Sequence, residues 1–246
     1  MLVNASPDLP IQIDRYLRAS EANSIRFSPV SEVFLTGADL DHVLGLFLIR
    51  ENRSGLRISA SPDVRRVLCD DLRLERTLNG FCGVAWRDME DWSVESSAGM
   101  AVSRIPLPTE KAPLYAPTEN LPTAGYIFRD TKSGRKAGIF PDVAQINDEL
   151  LHVVGQCDIL LFDGTFWSNE ELKVLGVSER SAIDMGHIPI SGKDGSLERL
   201  TGLKIPFCAY VHINNTNPLL RPNSVERAEI ERGGLFLASD GLRMVL

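Results

Sequence analysis

Long apolar runs are missing from this chain. Nothing in its 246 residues approaches the ~20 consecutive apolar positions that span a bilayer, and no signal-peptide pattern opens it. Both absences predict a cytoplasmic protein without membrane insertion. A Lys/Arg cluster is missing too, and the formal net charge is -7, which argues against the phosphate-neutralising face of a nucleic-acid binder. Cysteine is sparse. Cys69, Cys82, Cys157 and Cys208 stand apart with no CxxC pair, so they read as reduced, mostly buried small hydrophobes and not as a structural zinc site. No low-complexity linker divides the chain, and 43% hydrophobic with 24% charged residues suits a soluble globular protein. A single domain over residues 1–246 is expected.

What is present is an alternation of strand-like and helix-like runs. Ser31 to Thr36, Leu56 to Ala60, Asp158 to Phe162 and Phe207 to Ile213 read as strands; Leu40 to Ile49, Pro62 to Leu78, Asn147 to Val154, a stretch near Ser196 to Leu200, and Ser224 to Gly233 read as helices. Ser168-Asn169-Glu170-Glu171 has the form of a helix start. Between Trp92 and Phe140, Pro106, Pro108, Pro113, Pro117 and Pro122 punctuate short strand candidates. With the turn signal Lys132-Ser133-Gly134, that composition predicts a meander carrying one long proline-stiffened loop. Leu235 to Ala238 and Leu242 to Leu246 read as closing strands. The pattern fits two sheets with helices outside; a single doubly wound sheet is the competitor. At the start, Met1 to Asn4 resembles the end of a strand, with Ser6 as a cap and Pro7 at a first helical position. A strand beginning at Met1 has no preceding partner, so a natural N-terminal segment is expected to be absent.

Chemistry concentrates where buried strands stop. In Leu35-Thr36-Gly37-Ala38-Asp39-Leu40-Asp41-His42, two carboxylates and an imidazole occupy the first turn of a helix entered from a strand. Open α/β sheets place ligands at such ends, and carboxylate plus imidazole is a divalent-metal donor set. Helix capping and the helix dipole favour acidic residues at the same positions, so capping explains one of these carboxylates equally well. Asp163 closes the run Ile159-Leu160-Leu161-Phe162, His212 lies near the end of Ala209-Tyr210-Val211, and His187 sits in the loop Gly186-His187-Ile188-Pro189. His152, inside a helix with no motif around it, reads as structural.

Together with Asn4-Ala5-Ser6-Pro7-Asp8, Phe162-Asp163-Gly164-Thr165-Phe166-Trp167, His212-Ile213-Asn214-Asn215-Thr216-Asn217-Pro218 and Ala238-Ser239-Asp240-Gly241, these motifs resemble, in order and over essentially the whole chain, the PQQ biosynthesis protein B family of the metallo-β-lactamase superfamily. The resemblance implies an αββα four-layer sandwich. It also implies a shortened N-terminus, because the family's Gly-rich opening strands and zinc-binding Cys cluster have no match here. In the superfamily's HxHxDH signature the closing Asp-His fall on Asp41 and His42, while Gly37 and Asp39 replace the two earlier histidines. That loss speaks against a dinuclear zinc hydrolase. The resemblance assigns Asp41, His42 and His212 to a metal, with Asp39 and Asp163 as further ligands or orienting groups, and His187 and Asp163 to catalysis.

Such a set suits iron(II) as well as zinc, and the resemblance implies iron(II) over zinc as the divalent metal. The implied activity is iron-dependent hydroxylation of a tyrosine-containing precursor of pyrroloquinoline quinone, a small molecule or short peptide, and the resemblance leaves room for a homodimer. From a different class, the alternative is a non-catalytic carrier of PQQ or its precursor toward the periplasm, for which Arg104, Arg129, Arg135 and Arg221 are candidate carboxylate partners. Zinc-dependent hydrolysis is the third reading.

Overall fold

The computed structural model describes residues 1–19, 29–49, 55–90, 93–96 and 98–246. They group into two compact units, Met1–Arg104 with Glu110–Pro122, and Ile105–Thr109 with Thr123–Leu246. In chain order the first unit contains β1 (Leu2–Val3), α1 (Leu9–Ala19), β2 (Glu32–Phe34), α2 (Leu40–Val43), a 3-10 stretch (Leu44–Ile49), β3 (Leu56–Ala60), α3 (Pro62–Asp70), α4 (Leu74–Asn79), β4 (Val84–Asp88) and β5 (Ser93–Glu95). Strands β6 (Met100–Lys111) and β7 (Leu121–Asp130) run through both units. The second unit continues with β8 (Lys136–Phe140), α5 (Asp148–Val154), β9 (Ile159–Asp163), α6 (Glu171–Val174), α7 (Ser196–Thr201), β10 (Phe207–Val211), α8 (Val225–Arg232) and β11 (Phe236–Leu237).

In the first unit β1, β2, β3 and β4 form a parallel sheet in that order. Parallel sheets are covered on both faces, which is why Val33, Phe34, Ile58 and Ala60 are apolar and buried. Val64, Val67 and Leu68 form the inner stripe of α3, which starts cleanly because Ser61 Oγ accepts a hydrogen bond from the Val64 amide (3.3 Å) and Pro62 follows it. In the second unit β8, β9, β10 and β11 are parallel neighbours, and β7 pairs antiparallel with β8. The β7–β8 connection is the turn expected at Lys132-Ser133-Gly134, closed by Asp130 accepting from the Lys132 and Ser133 amides, with Gly134 in the left-handed region. Phe140, Leu160, Phe162 and Tyr210 fill this unit's core.

Several elements differ from the sequence expectation. The helix expected over Leu40–Ile49 changes to 3-10 after Val43, where the chain presses against the β1–α1 loop: the Gly45 amide donates to Ala5 O (2.8 Å), and a Cβ at Gly45 would meet the Ala5 and Ser6 carbonyls. The helix expected over Pro62–Leu78 breaks into α3 and α4, because Arg73 takes a left-handed conformation (φ 52°) that ends one helix and begins the next. Pro7 does not begin α1; Leu9 does, and among the described residues Ser6 Oγ finds no hydrogen-bond partner. Pro106 and Pro108 lie inside β6 and not in a loop. Being two apart, they withhold their missing N–H groups on one side of that strand. Residues Leu242–Leu246 form no strand: Leu242, Met244 and Val245 are exposed and have no ladder to join. Strand β4 was not expected at all, since its exposed Ala85 and Asp88 dilute the apolar alternation. Trp92, where the expected meander begins, lies outside the described residues.

Candidate metal centre

Register places the chemistry of the second unit. Phe140 pairs with Phe162, Phe162 with Tyr210, and Asp163 with Val211, so β8, β9 and β10 reach their carboxyl ends at one level. Asp163, the last residue of β9, His212, the first after β10, and Asp142, two past β8, therefore emerge at one sheet edge, where parallel α/β sheets hold ligands. Gly164 is required there: a Cβ would lie 2.7 Å from Tyr210 Cβ and 3.1 Å from Val211 O. His212 turns off its strand with φ 58°, a left-handed conformation that costs a non-glycine residue energy and is typical of functional positions. His187 arrives from a loop in which Gly186 (φ 87°) ends a short 3-10 turn, and the Ile188 amide is tied to Val143 O (2.5 Å).

The resulting cluster is dense and buried. Asp163 is fully buried and accepts four hydrogen bonds: from the Val143 amide (2.8 Å) and His187 Nδ1 (2.8 Å) on Oδ2, and from the Thr165 amide (3.0 Å) and Thr165 Oγ1 (2.6 Å) on Oδ1. Thr165 Oγ1 also lies 2.7 Å from His212 Nδ1 and 3.1 Å from His187 Nδ1. The two imidazoles stack with centroids 5.4 Å apart, and Phe166 and His187 meet in a T-shaped arrangement at 5.8 Å. His187 Nε2 faces Asp142 Oδ1 at 3.8 Å. One ligand atom each from Asp142, His187 and His212 falls within 4.8 Å of the other two. A carboxylate and two imidazoles at that separation suit a divalent metal, iron(II) and zinc alike.

The first unit repeats part of this pattern. His42 is buried, with Nδ1 3.3 Å from Thr36 Oγ1 and Nε2 3.5 Å from Asp41 Oδ2. Thr36 is itself held by Asn4, whose Oδ1 accepts from the Thr36 amide (2.9 Å) and whose Nδ2 donates to Thr36 Oγ1 (2.9 Å); Asn4 is left-handed at φ 58°. Asp39 occupies the N-cap position of α2 but makes no side-chain cap bond. Its carboxylate pairs with Lys111 Nζ at 2.9 Å. Beside it the Tyr115 hydroxyl donates to Ala38 O (2.6 Å), and burial, with Asp39 and Asp71 nearby, pushes that phenol well above its ordinary value. In the second unit burial raises the Tyr210 phenol in the same way, and its OH lies 3.1 Å from Ser196 Oγ.

Of the residues singled out from sequence, Asp163, His187 and His212 come together in the second unit, and Asp41 and His42 are neighbours in the first. His152 stays on exposed helix surface against Gln156 Nε2 (3.0 Å). Of the four arginines considered as PQQ partners, Arg129, Arg135 and Arg221 are solvent-exposed, Arg135 reaching Asp158 at 3.4 Å, and Arg104 is buried. Two participants were not anticipated. Asp142 was legible as another carboxylate just past a strand, after Phe140-Pro141, and Thr165 carried no signal because a threonine beside an aspartate is unremarkable in sequence. Among the described residues, no helix is long and apolar enough to cross a membrane.

Comparison with known proteins gives one answer at three levels. Residues 1–213 match the β-lactamase superfamily domain. Coenzyme PQQ synthesis protein B of Cupriavidus taiwanensis is 38% identical, and that of Cupriavidus necator 37%, each alignment covering all of this chain and 83% of the relative. The crystal structure of Zn(2+)-bound PqqB from Methylobacterium extorquens superposes with a TM-score of 0.88 at 30% identity, over all of this chain and 83% of that one. The fold is accordingly that of the metallo-β-lactamases, as the motifs imply, and the chain belongs to the coenzyme PQQ synthesis protein B family.

Proposed function

We propose that this protein acts in PQQ biosynthesis as a metal-dependent hydroxylase of a tyrosine-containing PQQ precursor, working in the cytoplasm on a small molecule or short peptide, with iron(II) favoured over zinc. Membership of the family supports the pathway. The observation that carries the chemistry is the two-histidine, one-carboxylate set of Asp142, His187 and His212, the donor pattern of non-haem iron oxygenases. Bound there, iron(II) would supply activation of dioxygen. In the net reaction an aromatic C–H becomes C–OH, one oxygen atom enters the product and the other leaves as water, with two electrons from an external reductant.

The protein's own contribution is placement. His187, His212 and Asp142 would hold the metal; Asp163 orients His187 through its 2.8 Å contact and ties the β8–α5 loop through Val143. The same chemistry proposes Asp41 and His42 as a ligand pair of the first unit. Asp39, engaged by Lys111, fits an orienting role better than direct ligation. His187, buried beside two carboxylates, would serve the metal through Nε2 and not as a proton carrier there, because that nitrogen cannot hold a proton while it ligates.

Zinc in the solved relative favours a second reading, a zinc protein that hydrolyses its substrate. Oxygen uptake separates the two. Anaerobically iron-loaded protein given a tyrosine-containing peptide precursor and a reductant should consume oxygen and release a product heavier by one oxygen atom from O2. Ester or phosphodiester hydrolysis by the zinc form without oxygen uptake would overturn the proposal, as would tight metal-independent binding of PQQ without turnover, the carrier outcome.

A further inference from the structure

We propose that the Thr165 hydroxyl is a positioning group that fixes the tautomer of His212 and, together with Asp163, that of His187, so that each presents its Nε2 lone pair as a ligand. The inference rests on the metal reading of the Asp142, His187 and His212 set. It follows from counting protons around one oxygen. Thr165 Oγ1 is 2.6 Å from Asp163 Oδ1, and a carboxylate that already takes hydrogen bonds from the Val143 and Thr165 amides can only accept. The single hydroxyl proton is therefore spent on Asp163.

Toward His212 Nδ1, 2.7 Å away, Thr165 Oγ1 has only lone pairs to offer, so Nδ1 of His212 must carry the hydrogen. His187 Nδ1 faces two acceptors, Asp163 Oδ2 at 2.8 Å and Thr165 Oγ1 at 3.1 Å, and must carry its hydrogen as well. In both neutral rings the free lone pair is left on Nε2, and in His187 that atom faces Asp142. A free imidazole favours the opposite tautomer, with hydrogen on Nε2. The Asp163–Thr165 pair thus selects the ligating form before a metal arrives, and one hydroxyl serves both rings, which are held 5.4 Å apart. Valine matches threonine in shape and lacks the oxygen; serine keeps the oxygen.

The test uses full-length protein in wild-type, Thr165→Val and Thr165→Ser forms. Long-range proton–nitrogen NMR of the metal-free protein, with His187 and His212 assigned by single substitution, reads the tautomers at a pH where both rings are neutral. Competition with a chromophoric chelator, using zinc alone as the probe, reads metal affinity. Wild type and T165S should carry hydrogen on Nδ1 of both rings. T165V should lose that preference at His212 and bind zinc about 10–100-fold more weakly, the usual cost of removing a ligand-orienting group. Hydrogen on Nε2 of His212 in the wild-type protein would overturn the proposal even if T165V failed to fold, and so would a T165V protein with unchanged tautomer and affinity. Correct tautomers in a protein that binds no zinc or iron would sink the metal reading and leave the tautomer assignment standing.

Discussion

Asp163 Oδ2 meets His187 Nδ1 at 2.8 Å in a setting where the carboxylate is fully buried and accepts four hydrogen bonds from the protein. That contact joins the end of β9 to the Gly186-His187 loop, and the same oxygen accepts the Val143 amide from the β8–α5 segment. Asparagine would replace one acceptor oxygen by an NH2 group facing donors. Asp163→Asn is therefore expected to cost about 3 kcal/mol, the scale of breaking a buried charge-assisted network, and Asp163→Ala at least as much. Urea unfolding checks it; a midpoint within error of wild type would mean the network is not structural.

Packing around His42 predicts a second effect. Ala5 N donates to His42 O (2.6 Å) and Gly45 N to Ala5 O (2.8 Å), so the loop after β1 lies directly on the helix that carries Asp41 and His42. A methyl group at Gly45 would sit 2.7 Å from Ala5 O and closer still to Ser6 O, against backbone that cannot rotate away. Gly45→Ala should destabilise the protein by about 3 kcal/mol as overpacking, in contrast to the gain that alanine usually gives a helix. Thermal unfolding of the variant reads the sign directly.

The cysteines predict a pH window. Burial pushes the Cys157 thiol up to about 11 and the Cys208 thiol up to about 12, from an ordinary 9.0. Raised folded values mean that the contribution of these thiols is intact below pH 9.0, where both states are protonated. It is then lost as pH rises toward about 11 and about 12, because the unfolded chain ionises first. Reactivity follows the same logic: in native protein at mildly alkaline pH, an alkylating agent should label half-buried Cys69 and Cys82 ahead of Cys157 and Cys208, as peptide mapping would show. Equal labelling of all of them would refute it.

Strand ends made much of the centre legible in sequence. Asp163 and His212 stand at or just past β9 and β10, and the apolar runs before them are unmistakable. Asp142 is hidden in the sequence because its strand falls within a proline-punctuated meander, and its place at the same sheet edge depends on a register between β8 and β9 that no local pattern encodes. Thr165 escaped because its role exists only in three dimensions, as an oxygen shared by residues 22 and 47 positions away. Left-handed backbone at Asn4, Arg73 and His212 was equally invisible, since none is glycine; tertiary contacts impose it. The αL break at Arg73 accounts for the divided helix, and the Gly45 contact for the 3-10 stretch, both cases of packing overriding propensity.

Metal content of protein prepared without oxygen bears most directly on the proposed chemistry. Elemental analysis should find about one iron per chain, with the iron lost in His187→Ala and Asp142→Ala and kept in His152→Ala, since removing a ligand removes much of the binding free energy. Stoichiometric zinc with no iron, or iron unchanged in the His187 and Asp142 variants, would contradict it.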